Sequence, residues 1–434
     1  MGNELHLDEF VIKNHKVTEE GVFAYLVSAV EPADVCYQCG SNHIVKNGGN
    51  RLVRDLPAFG HPVWIQIQGI RYLCRDCGKS FSHEFEAVDD GNRITVRLRK
   101  YIEERCLTDT ITRLAKETNV SNQTVFRIAD EYIERRDEAR TLYSPSVLGI
   151  DEVHLNDDMC CVFTDIVRRG IIEILPARTK IDVVRYLKSL PDRDKIRVVT
   201  MDMWRPYKSA VNEVLPDAVV VIDKYHVITL ATNALDTERK RISEAFNVKS
   251  LRWSLRKNRE DLSPAEFERL KEAFVLCPIL QTAYELKESF RAIYNAEDRK
   301  QANELFEEWA NSIPEELPAF LEVADTVRRW EQDIFAYFDH RYTNGVTESL
   351  NNVIKSINKQ GRGYSFQMLR GRVLYGTSAT KMPRYKEPSK KQVRGLFDSP
   401  VMYMAMPMLS SRELEHGDYV SIDELAAMFD AGIV

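Results

Sequence analysis

No apolar run in the 434 residues approaches the length of a membrane span, and the N-terminus lacks the basic-then-apolar pattern of a secretory signal. Those absences point to a cytoplasmic protein with no membrane partner. No internal repeat and no low-complexity stretch interrupts the chain, which excludes solenoid and tract-like architectures. Cysteine is sparse. Of eight residues, four form two C-x-x-C pairs, and Cys106, Cys160, Cys161 and Cys277 are scattered in apolar surroundings. That usage suits a metal site and buried thiols, with no disulfide framework.

An excess of positive charge is also missing, and a net charge of −6 argues mildly against a nucleic-acid partner when taken whole. The charge, however, lies in blocks. Residues 1–35 hold seven acids against two Lys, and residues 398–434 hold seven acids against one Arg. Residues 351–394 hold eleven Lys and Arg against the single Glu387. A basic stripe of that density neutralises phosphates whatever the global charge. A solvated charged face is the bland alternative.

The pairs Cys36/Cys39 and Cys74/Cys77, each followed by Gly, are separated by 34 residues. Each knuckle aims two sulfurs at one point, so four thiolates can surround one structural Zn²⁺. The intervening length suits a hairpin, and the run VWIQIQGIRYL alternates as a half-exposed strand should. A zinc ribbon is expected, with His43, His61 and His83 as ordinary surface histidines.

Residues 93–137 have helical period with one interruption near Asn119-Val120-Ser121. Ile111, Leu114 and Ala115 make an apolar face, and Ser121 is a good N-cap for a second helix that turns Val125 and Ile128 inward. Its outward residues Asn122, Gln123, Thr124 and Arg127 suit base edges or phosphates, as a recognition helix requires. A helix-turn-helix is expected, against the alternative of an unremarkable helical hairpin. Tyr143-Ser-Pro145-Ser then looks like a linker.

Strand-like runs follow at Val147–Ile150, Cys160–Val167 and Ile171–Leu175, then a helical Thr179–Leu190, a strand at Ile196–Met201, a helical Pro206–Leu215 and a strand at Ala218–Ile222. From about His226 to His340 the pattern is helical, with almost no strand signal, and a final helix begins near Thr347. This is the element order of an α/β ribonuclease H-like mixed sheet with a long all-helical insertion before its last helix. The expected domains are 1–90 (zinc ribbon), 91–142 (helix-turn-helix), 143–226 and 341–380 (catalytic), 227–340 (helical insertion) and 381–434 (a C-terminal tail without assigned activity).

Asp151 follows the apolar run VLGI, Asp202 follows IRVVTM, and Glu348 sits in the first turn of the last helix with Asn351, Asn352 and Lys355 on nearby turns. Carboxylates at strand ends emerge at a sheet rim. Three together can hold two Mg²⁺ or Mn²⁺ ions for phosphoryl transfer. Any one of them alone is more often a routine loop or cap residue. Glu152, Asp157, Asp158 and Asp165 compete for the first role and Asp223 for the second.

Taken together these residues resemble the ISL-three family of insertion-sequence transposases over roughly residues 30–380. The likeness lies in the paired C-x-x-C ribbon, the helix-turn-helix and the phrases GIDEVHL, TMDMWRPYKSAV, VVVIDKYHV and NGVTESLNNVIKSINKQGRGY. The resemblance implies a DNA transposase with a ribonuclease H-type core, and a bacterial, nucleoid-associated one. Asp151, Asp202 and Glu348 match the catalytic acids. Asp223 and His226 match a D-x-x-H signature that supports the site.

The reading that follows is metal-dependent hydrolysis at the ends of an insertion element, then strand transfer by the freed 3′-hydroxyl. The ribbon and helix-turn-helix would read terminal inverted repeats, and Lys355, Lys359, Arg362, Arg370 and Arg372 would track phosphates. Double-stranded DNA and a homodimer on DNA are the expected partners. The rivals are a non-catalytic DNA-binding regulator on an inert core and a nuclease that cuts without joining. Trp204 is expected to pack or to stack on a displaced base, and Trp253, Trp309 and Trp330 to build the insertion's core and a dimer or DNA-end surface.

Overall fold

A computed structural model describes residues 5–156, 158–243, 249–361 and 363–376. Arg362 and the C-terminal tail lie outside the described residues. The N-terminal region is built from β1 (Phe10–Val17), β2 (Phe23–Ala29), β3 (Ile44–Lys46), β4 (Asn50–Ala58), β5 (His61–Gln68), β6 (Arg71–Cys74), β7 (Ser80–Ser82), β8 (Val88–Asp89) and β9 (Ile94–Thr95). Val63, Ile65 and Ile67 alternate as buried residues along β5, and Ile65 and Ile67 pack with Val27, Val53 and Phe10. The expected single strand VWIQIQGIRYL is in fact two. Its first part joins a sheet of order β1-β2-β5-β4-β9-β8, and after a turn at Gly69 (φ +66) its second part enters a small sheet β3-β6-β7 that carries the knuckles. The acidic first 35 residues supply the two strands that extend the larger sheet, which their charge did not announce.

Three helices follow, α1 (Val96–Arg105), α2 (Ile111–Thr118) and α3 (Asn122–Glu138). Their N-caps Thr95, Thr110 and Ser121 each accept from a backbone N–H in the first turn. The helical stretch is thus interrupted twice, the additional break lying between Arg105 and Thr110.

The sheet that follows comprises β10 (Val147–Leu155), β11 (Asp158–Asp165) and β12 (Gly170–Leu175), then α4 (Lys180–Ser189), β13 (Val198–Met201), α5 (Arg205–Val214) and β14 (Val219–Ile222). The strand order is β12-β11-β10-β13-β14, antiparallel among the first three and parallel from β10 onward. The helices α6 (Lys224–Ile242), α7 (Arg252–Arg256), α8 (Pro264–Leu276), α9 (Pro278–Ala292), α10 (Arg299–Asn311), α11 (Pro318–Arg329) and α12 (Glu331–His340) follow β14, and the chain returns to the sheet through α13 (Gly345–Gly361) and α14 (Phe366–Tyr375). Trp309 and Trp330 are buried among α9–α12, whereas Trp253 is 69% exposed.

The helix-turn-helix shares its core with the sheet. Leu98, Ile102, Ile128 and Ile133 pack in one cluster with Val153, Val162, Ile174, Ile354 and Val373. Tyr143 and Ser144, expected in a free linker, are packed as well. The Tyr143 hydroxyl donates to Asp165 Oδ2 at 3.2 Å, and Ser144 donates to the Pro191 carbonyl.

Candidate active site

Asp151 stands in the middle of β10, which runs on to Leu155 in its hairpin with β11. What ends early is the pairing with β13, whose last partners are Gly149 and Thr200. Beyond that point β10 and β13 separate, and Asp151 and Asp202 flank the opening, each two residues past the final pair. The sheet rim is therefore made by diverging strands, and only Asp202 is at a strand end.

Glu348 is brought to this opening by the close approach of α13 to β10. A Cβ on Gly149 would lie 2.3 Å from Thr164 Oγ1 and 2.5 Å from Thr347 Oγ1, so only glycine leaves room for the helix. The two threonine hydroxyls bond across the gap at 2.7 Å. Beneath the carboxylates lies Asn344, with no exposed surface. Its Nδ2 donates to the Ile150 carbonyl at 3.3 Å, and its Oδ1 accepts from Thr200 at 3.1 Å and Thr347 at 2.8 Å. Its backbone N–H donates to Asp223 Oδ1 at 2.9 Å. One asparagine thereby ties together β10, β13, the residue capping α6 and the helix of Glu348. Sequence reading passed over it, although an Asn-Gly pair just before an apolar helix is a cap signal.

His226 Nε2 lies 3.1 Å from Asp202 Oδ1 and 3.9 Å from Glu348 Oε1. Asn351, one turn after Glu348, donates to Asp151 Oδ2 at 2.8 Å and to the Glu152 carbonyl at 3.2 Å. Burial, and then the neighbouring Asp202, push the Asp151 carboxyl up to about 7. Burial and the charges of Asp223, Glu152 and Glu348 push Asp202 up to about 7 as well. Glu348 is raised by burial and by Asp223. Crowding acids out of water in this way disfavours their ionised forms unless a cation compensates the charge.

The donor set fits a hard divalent cation. It is oxygen-rich, and Asp202 Oδ1 is buried without a hydrogen-bond partner despite the nearby imidazole. Among the described residues, Asp223, His226 and Glu348 form a group whose ligand atoms all lie within 4.8 Å of one another, and Asp151 and Asp202 are not part of it. Asp223 is nevertheless only 2% exposed, and both of its oxygens accept backbone N–H groups, from Asn344 and from Tyr225 at 3.2 Å. It caps α6 as much as it faces the opening.

The four knuckle sulfurs also fit their metal. Cys36 and Cys77 are 3.8 Å apart and Cys39 and Cys74 3.6 Å, with all four within 4.8 Å. Tetrahedral Zn–S bonds of about 2.3 Å require sulfurs about 3.8 Å apart. The Cys77 backbone N–H, directed at its sulfur, helps pull Cys74 down to about 6. His43 pairs with Asp76 at 3.1 Å and His83 with the Tyr37 hydroxyl at 2.7 Å, outside the four-sulfur group.

Of the residues expected at DNA, Asn122, Gln123, Lys355 and Lys359 are exposed. Thr124 is half-buried against Ser121, and Arg127 is exposed but donates to Asn92. Arg370 and Arg372 do not fit that role. Arg370 makes paired bonds to Glu173 and Asp137, joining β12 to α3, and Arg372 is 2% exposed and donates to the carbonyls of Cys106 and Asp109. Both guanidiniums are consumed in fastening α14 to the helix-turn-helix. Basic character alone did not distinguish them from the exposed lysines of α13.

Among the described residues no helix is long and apolar enough to cross a membrane. A family model described as "Transposase" matches residues 148–373. Another, "zinc-finger of transposase IS204/IS1001/IS1096/IS1165", matches residues 32–77, and "Helix-turn-helix domain of transposase family ISL3" matches residues 84–133. The transposase for insertion sequence element IS1001 of Bordetella parapertussis is 24% identical over 357 residues, covering 77% of this chain and 86% of the relative. The transposase for insertion sequence element IS1557 of Mycobacterium tuberculosis is 30% identical over 185 residues, covering 36% of this chain and 41% of the relative. With a zinc ribbon and a helix-turn-helix preceding a DDE transposase domain that spans more than half of its length, the chain belongs to the ISL3 family of transposases.

Proposed function

We propose that this DNA transposase cleaves the ends of its element by hydrolysis and joins the freed 3′-hydroxyl to target DNA, with Asp151, Asp202 and Glu348 as the metal-binding acids. The observation that supports the reading is the opening between β10 and β13, flanked by Asp151 and Asp202, with His226 3.1 Å from Asp202 and 3.9 Å from Glu348. Two Mg²⁺ or Mn²⁺ ions, when bound, would supply Lewis-acid stabilisation of the attacking and leaving oxygens. Asn351 holds the Asp151 carboxylate in place, and His226 stands between Asp202 and Glu348, where it can hydrogen-bond a scissile phosphate. The strand order supports a ribonuclease H-like core with α6–α12 as its insertion. We take 1–90, 91–142, 143–226 with 341–380, and 227–340 as the functional divisions.

Asn122, Gln123, Thr124 and Arg127 would read the terminal repeats, with Lys355 and Lys359 on phosphates and a homodimer bridging two ends. The test is cleavage and strand transfer on a labelled element-end duplex with Mg²⁺, Mn²⁺ or EDTA. Nicking without joining would reduce the reading to a nuclease, and metal-independent cleavage would remove it. The trio Asp223, His226 and Glu348 favours a second reading in which Asp223 replaces Asp202 as ligand.

A further inference from the structure

A cavity of about 370 Å³ opens between α5 and the end of α11, lined by Arg205, Lys208, Ser209, Asn212, Arg329 and Trp330. No carboxylate lines it. Lys208 is paired with Asp333 and its Nζ sits 5.0 Å from the Trp330 ring centroid, which fixes the floor. The Arg205 side chain has no hydrogen bond or ion pair among the described residues, and the Arg329 guanidinium bonds only to the Asp325 carbonyl and the Thr326 hydroxyl of its own helix. Arg205, Ser209, Asn212 and Arg329 are all exposed. Two uncompensated guanidiniums beside a hydroxyl and an amide make a donor-rich pocket for an oxyanion. The larger cavity near the start of β13 has the opposite character, with Asp192, Asp194 and Asp217 against Arg193 alone.

Its position is what connects this pocket to DNA. Arg205 is three residues past Asp202, so the two Cα atoms lie within about 11 Å. Between them Trp204 is 38% exposed, with the Arg178 guanidinium 4.7 Å from its ring centroid, and Arg178 is paired with Glu152 beside Asp151. A chain of side-chain contacts thus runs from Glu152, next to Asp151, through Arg178 to Trp204, the neighbour of Arg205. We propose that Arg205 and Arg329 form a binding subsite for a backbone phosphate of the DNA strand being cut, adjacent to the scissile one. This inference rests on the transposase site described above and adds the helical insertion to its DNA-binding surface.

The test measures binding of the full-length protein to a fluorescent element-end duplex across a salt series, without divalent metal. The double variant Arg205→Gln/Arg329→Gln is expected to weaken binding about tenfold or more and to lower the salt slope by about two, close to one for each phosphate no longer neutralised. Arg205→Lys/Arg329→Lys should keep most of the slope, and Lys300→Gln, at an exposed charge on α10 that does not line the pocket, should leave it unchanged. An unaltered slope in the Gln variant, at unchanged thermal stability, overturns the subsite. If Lys300→Gln lowers the slope equally, the effect is general charge and the subsite is again overturned. Wild-type protein that cleaves the duplex in Mg²⁺ separates these outcomes from a failure of the catalytic reading.

Discussion

Asn351 donates its amide N–H to Asp151 at 2.8 Å, linking the helix of Glu348 to the central strand of the sheet by one buried side-chain bond. The bond spans 200 residues of sequence, including the whole helical insertion. Together with the Glu152 backbone N–H, which donates to Asp151 Oδ1 at 2.8 Å, it fixes the orientation of the Asp151 carboxylate.

Removal of that bond should therefore act on chemistry more than on DNA affinity. Asn351→Ala is expected to lower single-turnover cleavage about 10- to 100-fold and to raise the Mg²⁺ concentration needed for half-maximal rate, as loss of a partner that orients a metal ligand does. Asn351→Asp, which sets one carboxylate against another, should be worse than Ala. Cleavage rates against Mg²⁺, beside Kd for the duplex, check both statements.

The crowded acids also make a stability prediction. Asp151 and Asp202 are each raised to about 7, so the metal-free fold favours their protonated forms. That contribution is fully present below about pH 4 and is lost as pH rises through about 7. Asp151→Asn should hence raise the unfolding free energy in EDTA at pH 8, by at most about 4 kcal/mol because the burden is shared with Asp202, and Tm with it. The gain should shrink toward pH 5. Mg²⁺ should stabilise the wild type more at pH 8 than at pH 6, since protons compete for the same oxygens. Thermal unfolding at the two pH values, with and without metal, reads out all of this.

Zinc should be structural and local. One ion per chain is expected by metal analysis, and Cys74→Ser should lose it. Limited proteolysis should then cut between residues 36 and 83, while the region from α1 to α14 stays protected by its own core. Equal loss of protection throughout would show that the ribbon holds up the rest of the fold.

Basic residues close together in sequence should separate by role. Lys355→Ala/Lys359→Ala should lower the salt slope of DNA binding by about two with little change in Tm. Arg370→Ala removes the guanidinium that joins Asp137 to Glu173, leaving Tyr375 on the one and Arg140 on the other, and should cost up to about 3 kcal/mol in stability, with the slope kept. Denaturant titrations beside salt titrations distinguish the two.

Much of this could be read from the sequence because the chemistry is local there. Paired C-x-x-C-G knuckles, Ser121 before a helix and apolar runs ending at Asp151 and Asp202 each carry their own signal. The Asn344 network and the Gly149 approach could not be read in that way. Each depends on which strands and helices meet after the 121-residue separation between Asp223 and Asn344. Arg370 was misread for the same reason: its partners Asp137 and Glu173 are 233 and 197 residues away. The strands of residues 10–29 were missed because their pairing partner β5 lies beyond the first zinc knuckle.

The most direct test of the site compares Asp202→Asn with Asp223→Asn in Mg²⁺-dependent cleavage of an element-end duplex, with Asp151→Asn and Glu348→Gln as references. Asp202→Asn should lose cleavage by about a thousandfold or more, as the two references do, because it removes a metal-binding charge. Asp223→Asn, whose oxygens serve Asn344 and Tyr225, should keep a measurable rate. Full activity in Asp202→Asn together with complete loss in Asp223→Asn would contradict the assignment and make Asp223 the second catalytic acid.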